Sequence, residues 1–349
     1  MEFKQVKEYY GRILKGNKDL QTSACCCDDE IPARIKAILS EINDEILEKF
    51  YGCGSPLPPL LEGCTVLDLG CGTGRDAFLA SRLAGPTGYV IGVDMTSEQL
   101  AVARRNLDSQ MVRFGYEKAN VDFRQGYIED LRAIEVADNS VDVVISNCVL
   151  NLSPDKEAVF SEIFRVLKPG GELFFADIFS GCRIPVALYD DPVLRGECLS
   201  GAMYREDFRR LLLNLGCRDF RCLNSRRVEL DNPEIAAKIG MAAFFSETIR
   251  AFKLADLEDI CEDYGQMAVY KGSIPEAPHF FDLDDHHHFI AHKPMLVCGN
   301  TAAMLSETRL APHFMVSGDR SRHFGPFACG EAAEKAKSGA SSYGGACCC

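Results

Sequence analysis

Thr65-Val-Leu-Asp-Leu-Gly-Cys-Gly-Thr-Gly-Arg-Asp76 is the stretch on which the reading of this chain turns. Thr65 to Leu69 is a short apolar strand, and Arg75 to Ala84 has the pattern of a helix. Gly70, Gly72 and Gly74 lie between them, where the absence of a Cβ lets backbone run close to a ligand. Twenty residues after Gly74, Asp94 closes the next strand, Tyr89 to Val93, and a carboxylate there suits ribose hydroxyls. The strand, the glycine loop, the helix and the distal acid together predict a nucleoside site.

The rhythm continues outward from this unit. Helices are predicted over Ser97 to Phe114 and Asp155 to Leu167, and strands over Val121 to Arg124, Val141 to Ser146 and Glu172 to Asp177. Apolar strands alternating with helices predict an α/β fold, a Rossmann-like doubly wound parallel sheet covered on both faces. Upstream, one helix is expected from about Pro32 to Phe50 and another around Phe3 to Leu14. Downstream, a helix over Tyr204 to Leu215 stops at Gly216, and strand-like runs at Arg227 to Leu230, Ala243 to Phe252 and Met267 to Tyr270 suggest a smaller mixed α+β C-terminal region.

Composition narrows the function. The 349 residues are 47% hydrophobic and 26% charged, a globular mix. The net charge of −13 and the lack of a basic patch argue against nucleic acid and anionic membranes. No apolar run is long enough to span a bilayer, and the charged N-terminus has no signal-peptide core, which predicts a cytoplasmic, reducing location. Seventeen cysteines in such a setting point to soft-metal, redox or catalytic work for some of them. Cys64, Cys71, Cys217, Cys222, Cys261 and Cys298 read as structural. All seven histidines follow residue 278, so none falls in the nucleoside-binding unit. The run His286 to His288, with Asp284, Asp285 and His292, has no fixed metal-ligand spacing.

The Gly-x-Gly-x-Gly spacing, with Gly126-Tyr-Ile-Glu129 and Leu167-Lys-Pro-Gly-Gly, resembles the class I S-adenosylmethionine methyltransferases. Three cysteines sharpen the resemblance. Cys53 lies in Tyr51-Gly-Cys-Gly before the first strand, Cys148 in Ser146-Asn-Cys-Val past the fourth, and Cys198 in Gly196-Glu-Cys beyond the fifth. With Tyr9-Tyr-Gly, Asp19-Leu-Gln-Thr and Ala202-Met-Tyr, they resemble the arsenite methyltransferases over most of residues 6 to 270. The resemblance implies that Asp94 holds the ribose, that Met95, Ile128 and Glu129 flank the adenine, and that the Gly70 to Gly74 loop lies beside the methionine part. It extends the cofactor set to Tyr51, Asp68, Arg75 and Asn147, with the Tyr51 ring placed for cation–π attraction to a sulfonium.

It also implies thiol chemistry. Trivalent arsenic and thiolates are both soft, and two or three thiolates can hold arsenic with its lone pair free to attack a methyl group. Cys148 and Cys198 are the implied ligands, and Cys53 a third ligand or the reducing thiol. Its partner would be Cys25, six residues after Asp19, with Cys26 and Cys27 adjoining as alternatives. No proton leaves arsenic, so no general base is needed, in keeping with the histidine distribution. Glutathione or thioredoxin would present arsenic or reset a disulfide, and the chain would act as a monomer in arsenic detoxification. The rival reading is a methyltransferase of a quinone, sterol or other organic molecule, which shares the glycine loop but has no use for the placed cysteines. A protein that only sequesters soft metals would leave the glycine loop unexplained. The segments are accordingly 1–50 with Cys25, 51–180 for the cofactor, 181–275 for arsenic, 276–330 at the C-terminal side, and 331–349, a tail expected to be disordered that ends in Cys347-Cys-Cys.

Overall fold

The computed structural model describes residues 31–48, 52, 56–189, 191–196, 198–230 and 232–328. Cys25 to Cys27, Tyr51, Cys53, the helix expected around Phe3 to Leu14 and the tail from 331 lie outside the described residues.

In chain order the elements are α1 (Ala33–Leu39), α2 (Asp44–Leu47), β1 (Thr65–Leu69), α3 (Arg75–Ala84), β2 (Tyr89–Asp94), α4 (Ser97–Phe114), β3 (Val121–Gln125), β4 (Val141–Asn147), α5 (Lys156–Val166) and β5 (Leu167–Ser180). There follow α6 (Pro192–Gly196), β6 (Met203–Tyr204), α7 (Arg205–Asn214), β7 (Phe220–Val228), α8 (Pro233–Ile239) and β8 (Phe244–Phe252). The C-terminal region holds β9 (Gln266–Tyr270), β10 (Phe280–Asp282), β11 (His288–Ile290), β12 (Pro294–Val297), α9 (Gly299–Ser306) and β13 (Phe314–Ser317).

The main sheet runs β3-β2-β1-β4-β5-β8-β7, with β6 beside β5. Strands β1 to β5 are parallel, whereas β8 pairs antiparallel with β5 and β7 antiparallel with β8. The parallel sheet expected from the sequence is thus a mixed one, and the run Ala243 to Phe252 is its penultimate strand rather than part of a separate region. Successive strands step outward from β1 in one direction through β3, and the chain then returns to add β4 and β5 on the other side. The reversal sits between β1 and β4, where open α/β sheets bind ligands beyond the strand ends.

Two other expectations change. The helix from Pro32 to Phe50 is two short helices: Ser40 turns its hydroxyl back to the Ala37 carbonyl, and the Asn43 side chain caps a new start by accepting from Glu45 N at 3.0 Å. The strand read at Arg227 to Leu230 ends at Val228 and begins at Phe220. Its polar run Asn224 to Arg227 hides the strand in the sequence, and pairing with β8 sets its length.

Apolar side chains alternate across the sheet. Leu67, Leu69 and Val144 pack with Phe160 and Ile163 of α5 and Phe208 of α7; Val66, Val90 and Val143 pack with Phe78 of α3 and Met111 of α4. A third core, from Phe252 to Phe314, gathers β9, α9 and the loops around them.

The C-terminal region is tied to the sheet through a buried carboxylate. Glu172 of β5, fully buried, pairs with Arg250 of β8 and with Arg309, whose guanidinium also donates to the Pro59 carbonyl. Arg250 in turn donates to the Leu283 carbonyl at 2.7 Å. Removing one member of such a set leaves its partners buried and unpaired. Glu172→Ala should therefore lower unfolding stability by about 3–5 kcal/mol, read from urea titration.

Candidate functional site

A cleft of about 980 Å³, counted with its open mouth, lies beyond the ends of β1, β2 and β4. At the end of β1 the backbone turns through Gly70 at φ 73° and donates from Gly70 N and Cys71 N to the Val93 carbonyl at 2.7 and 2.9 Å. A Cβ at Gly70 would lie 2.4 Å from both Val149 methyls, so this glycine is required by the close approach of the loops after β1 and β4. Gly72, also left-handed, faces open space. Thr73 anchors the loop by donating to the Ile46 carbonyl at 2.9 Å.

Among residues expected at the cofactor, Asp68, Gly70, Gly72, Asp94, Met95, Ile128, Glu129 and Asn147 line the cleft. Gly74 and Arg75 do not. Gly74 is the left-handed residue preceding α3, and a Cβ there would meet the Phe123 ring at 2.8 Å. Arg75 is buried and paired with Asp76 at 3.0 Å. Residues that sequence reading missed also line it: Cys71, Thr73, Asp76, Thr96, Gln99, Tyr127, Val149, Leu152 and Ser153. Asp76 lies two residues after Gly74, in the first turn of α3, a signal that was available; Ser153 and Leu152 carried none.

Three carboxylates shape the electrostatics. Asp94 accepts from Gly72 N at 2.9 Å and Thr96 N at 2.8 Å, which orients it at the β2 end. Asn147 donates to Asp76 at 2.9 Å. Asp68 is buried, and its Oδ2 has no hydrogen-bond partner. Burial first, then the neighbouring Asp76 and Asp94, hold its carboxyl well above the usual carboxylate range. An unpartnered buried acceptor between two further acids suits a cationic ligand, and the S-adenosylmethionine expected from sequence carries both an ammonium and a sulfonium. Cys71 belongs to this wall rather than to the core alone; burial, then Asp68 and Asp94, push its thiol up, so it stays protonated.

At the far end of the cleft stands Cys148, one residue beyond β4. Cys198 reaches it from the segment after α6: its Sγ lies 3.3 Å from the Cys148 carbonyl oxygen. Both are buried, 4% and 0% exposed, and share a small apolar cluster with Ile178, Leu194 and Phe244. Both are also left-handed, at φ 54° and 61°, a conformation that costs a non-glycine residue energy and persists only where surroundings enforce it. Arg195 donates to the Leu152 carbonyl at 2.8 Å, and a Cβ on Gly201 would strike the Asn151 carbonyl at 2.1 Å, so the two loops are fastened on either side of the sulfurs. Asn151 is held by Asp177, and Lys156 donates to the Asn151 and Ser153 carbonyls at 3.3 and 3.1 Å. Burial lowers this amine to about 8 and raises the Asp177 carboxyl to about 7. Cys148 is disulfide-bonded in the structure. Cys217, by contrast, is a core residue whose thiol is pushed up to about 12 by burial.

The methyltransferase domain family matches residues 60–216, and the arsenite methyltransferase C-terminal domain family matches residues 264–349. The chain is 51% identical to an arsenite methyltransferase from Aquipseudomonas alcaligenes over 92% of both chains. It is 37% identical to the arsenite methyltransferase of Homo sapiens over 90% of this chain and 83% of the relative. The crystal structure of an arsenic(III) S-adenosylmethionine methyltransferase from Chlamydomonas reinhardtii superposes with a TM-score of 0.83 at 49% identity, covering 85% of this chain and 100% of that one.

The Asp94 geometry yields a direct test. Asp94→Ala should weaken S-adenosylmethionine binding roughly ten- to a hundredfold by calorimetry, the loss of one set of charge-assisted hydrogen bonds.

Proposed function

Because the chain belongs to the arsenite methyltransferase family, we propose that it transfers methyl groups from S-adenosylmethionine to thiolate-bound As(III) at the Cys148 end of the cleft. The observation that carries the site assignment is the meeting of Cys148 and Cys198, fifty residues apart, with a sulfur-to-carbonyl distance of 3.3 Å beside the glycine-loop cleft. A methyltransferase of a quinone or sterol has no need of two buried, backbone-strained cysteines there, and the arsenite methyltransferase C-terminal domain speaks for the metalloid.

The donor supplies an electrophilic methyl on a sulfonium. Asp94 would orient the ribose, with Met95, Ile128 and Glu129 along the adenine. Asp68 and Asp76, neighbours inside the acidic wall, would draw the cationic end toward the Gly70 turn. In this reading Cys148 and Cys198 hold arsenic as thiolates, with Cys53 as third ligand or reducing thiol, and Tyr51 faces the sulfonium. The thiolates fix the arsenic lone pair toward the methyl, so catalysis is by orientation and needs no proton acceptor. Apolar walls from Ile178, Leu194 and Leu199 keep water from the sulfurs.

Methylation leaves arsenic formally pentavalent. Two electrons must return, and a thiol pair supplies them by closing to a disulfide, with Cys53 and one of Cys25, Cys26 or Cys27 as the pair. An external thiol, glutathione or thioredoxin, then reopens it. The disulfide at Cys148 supports this requirement, since its sulfur can take arsenic only after reduction. Among the described residues no helix is long and apolar enough to cross a membrane. We place the reaction in the cytoplasm, carried out by a monomer, as arsenic detoxification.

Incubation with arsenite, S-adenosylmethionine and a thiol, followed by separation of arsenic species, should yield methylated arsenic; none under several thiols would end this reading. Cys148→Ser and Cys198→Ser should each lower turnover roughly a hundredfold or more, because a hydroxyl is a hard ligand and the oriented complex is lost. Cys182→Ser, at an exposed thiol, should leave turnover intact.

A further inference from the structure

The loops of Cys148 and Cys198 are both referenced to one strand, β5. The Cys148 N–H donates to the Ala176 carbonyl at 2.8 Å, and the chain then makes a short 3₁₀ turn over Leu150–Leu152. At the centre of that turn Asn151, 1% exposed, donates to the next two residues of β5. Its N–H reaches Asp177 Oδ2 at 3.2 Å, and its Nδ2 reaches Asp177 Oδ1 and the Ile178 carbonyl, both at 2.6 Å. Asp177 is fully buried, and the Ile178 N–H orients it by donating to Oδ1 at 2.8 Å. The Cys198 loop returns to the same strand slightly further on: Ser180 donates to the Ala202 carbonyl at 3.4 Å, and Met203 of β6 pairs with Phe179.

The two loops meet at the Asn151 carbonyl oxygen. Lys156 of α5 donates to it at 3.3 Å, and Gly201 packs on it so closely that a Cβ would lie 2.1 Å away. Asn151 stands three residues after Cys148, and Gly201 three residues after Cys198. Burying a carboxyl costs free energy unless it is hydrogen-bonded, and two of the N–H groups that satisfy Asp177 belong to Asn151. Asn151 is thus held by side chain and main chain at once, and its carbonyl gives Gly201 a fixed seat. Asn151 does not line the cleft, so it acts through the cysteines and not on the ligand.

We propose, on the reading that Cys148 and Cys198 hold arsenic, that Asn151 is the positioning residue of that site: clamped by Asp177 and Lys156, it seats Gly201 and so sets the separation of the two sulfurs. Two thiolates at a fixed separation form one ligand set for a trivalent centre, whereas two that drift apart bind it singly. Misplacement by about 1 Å can cost on the order of a hundredfold in rate, so a rigid seat is worth a buried carboxyl.

The test uses the full chain, reduced with a phosphine, and two variants, one on each loop. Gly201→Ala drives a methyl group against the Asn151 carbonyl. Asn151→Asp keeps the shape but sets an acceptor where a donor faced Asp177 and the Ile178 carbonyl. Arsenite binding is measured against the Cys148→Ser/Cys198→Ser chain, which gives the background of the remaining thiols. Above that background both variants should bind arsenite about tenfold or more weakly, with the arsenite KM rising in step, while the S-adenosylmethionine dissociation constant by calorimetry stays within about twofold. Unchanged arsenite affinity in both variants, or S-adenosylmethionine binding lost along with it in both, would overturn the proposal. Wild-type arsenite binding no better than the background would sink the reading of the two sulfurs and the proposal with it, a result distinguishable from the other two.

Discussion

Two thiolates can share one ligand only when the backbones that carry them are brought close and kept there against their own preferences. The contact between Cys198 Sγ and the Cys148 carbonyl oxygen brings the two backbones close, and both residues adopt left-handed backbone there. The surrounding structure pays for this strain. Arg195 and Gly201 fasten one loop to the other, while Asn151, Asp177 and Lys156 brace the loop beyond β4 from beneath. Strain of this kind at a cleft edge supports the proposed arsenic site.

In the proposed function the cleft and the sulfurs divide the chemical labour by charge and softness. Acids surround the glycine loop, where a cationic ligand is to be held, and apolar side chains surround the sulfurs, where water would compete. Among the described residues lining the cleft there is no histidine, and the chemistry proposed for it has no proton for one to take.

The C-terminal region is not an appendage. It contributes Arg309 to the buried Glu172, and Asp284 to Arg221 of the outermost strand of the main sheet. These buried ion pairs give the docking a defined geometry, because a shifted interface would strand a charge without its partner. The antiparallel strands β7 and β8 are what make this possible, since they carry the sheet beyond β5 to the face on which the third core rests.

Most of the nucleotide-binding half was legible in the sequence because its signals are local. A strand, three glycines and a helix start within twelve residues, and the Asp94 distance follows from the length of one helix and one strand. The bounds of α3 and α4 and the core of β1 follow the apolar pattern closely. Pairings between distant segments were not legible. Nothing in the chain order says that Phe220–Val228 and Phe244–Phe252 join the main sheet, or that Cys71 faces a cleft while Gly74 packs on Phe123. Cys261 and Cys298 read as filler because burial alone was visible, whereas their 3.2 Å approach depends on separate segments folding together. Local hydrogen-bonding and periodicity write themselves into neighbouring residues; the meeting of buried sulfurs, carboxylates and guanidinium groups is decided by packing across the whole fold, and only the tertiary structure records it.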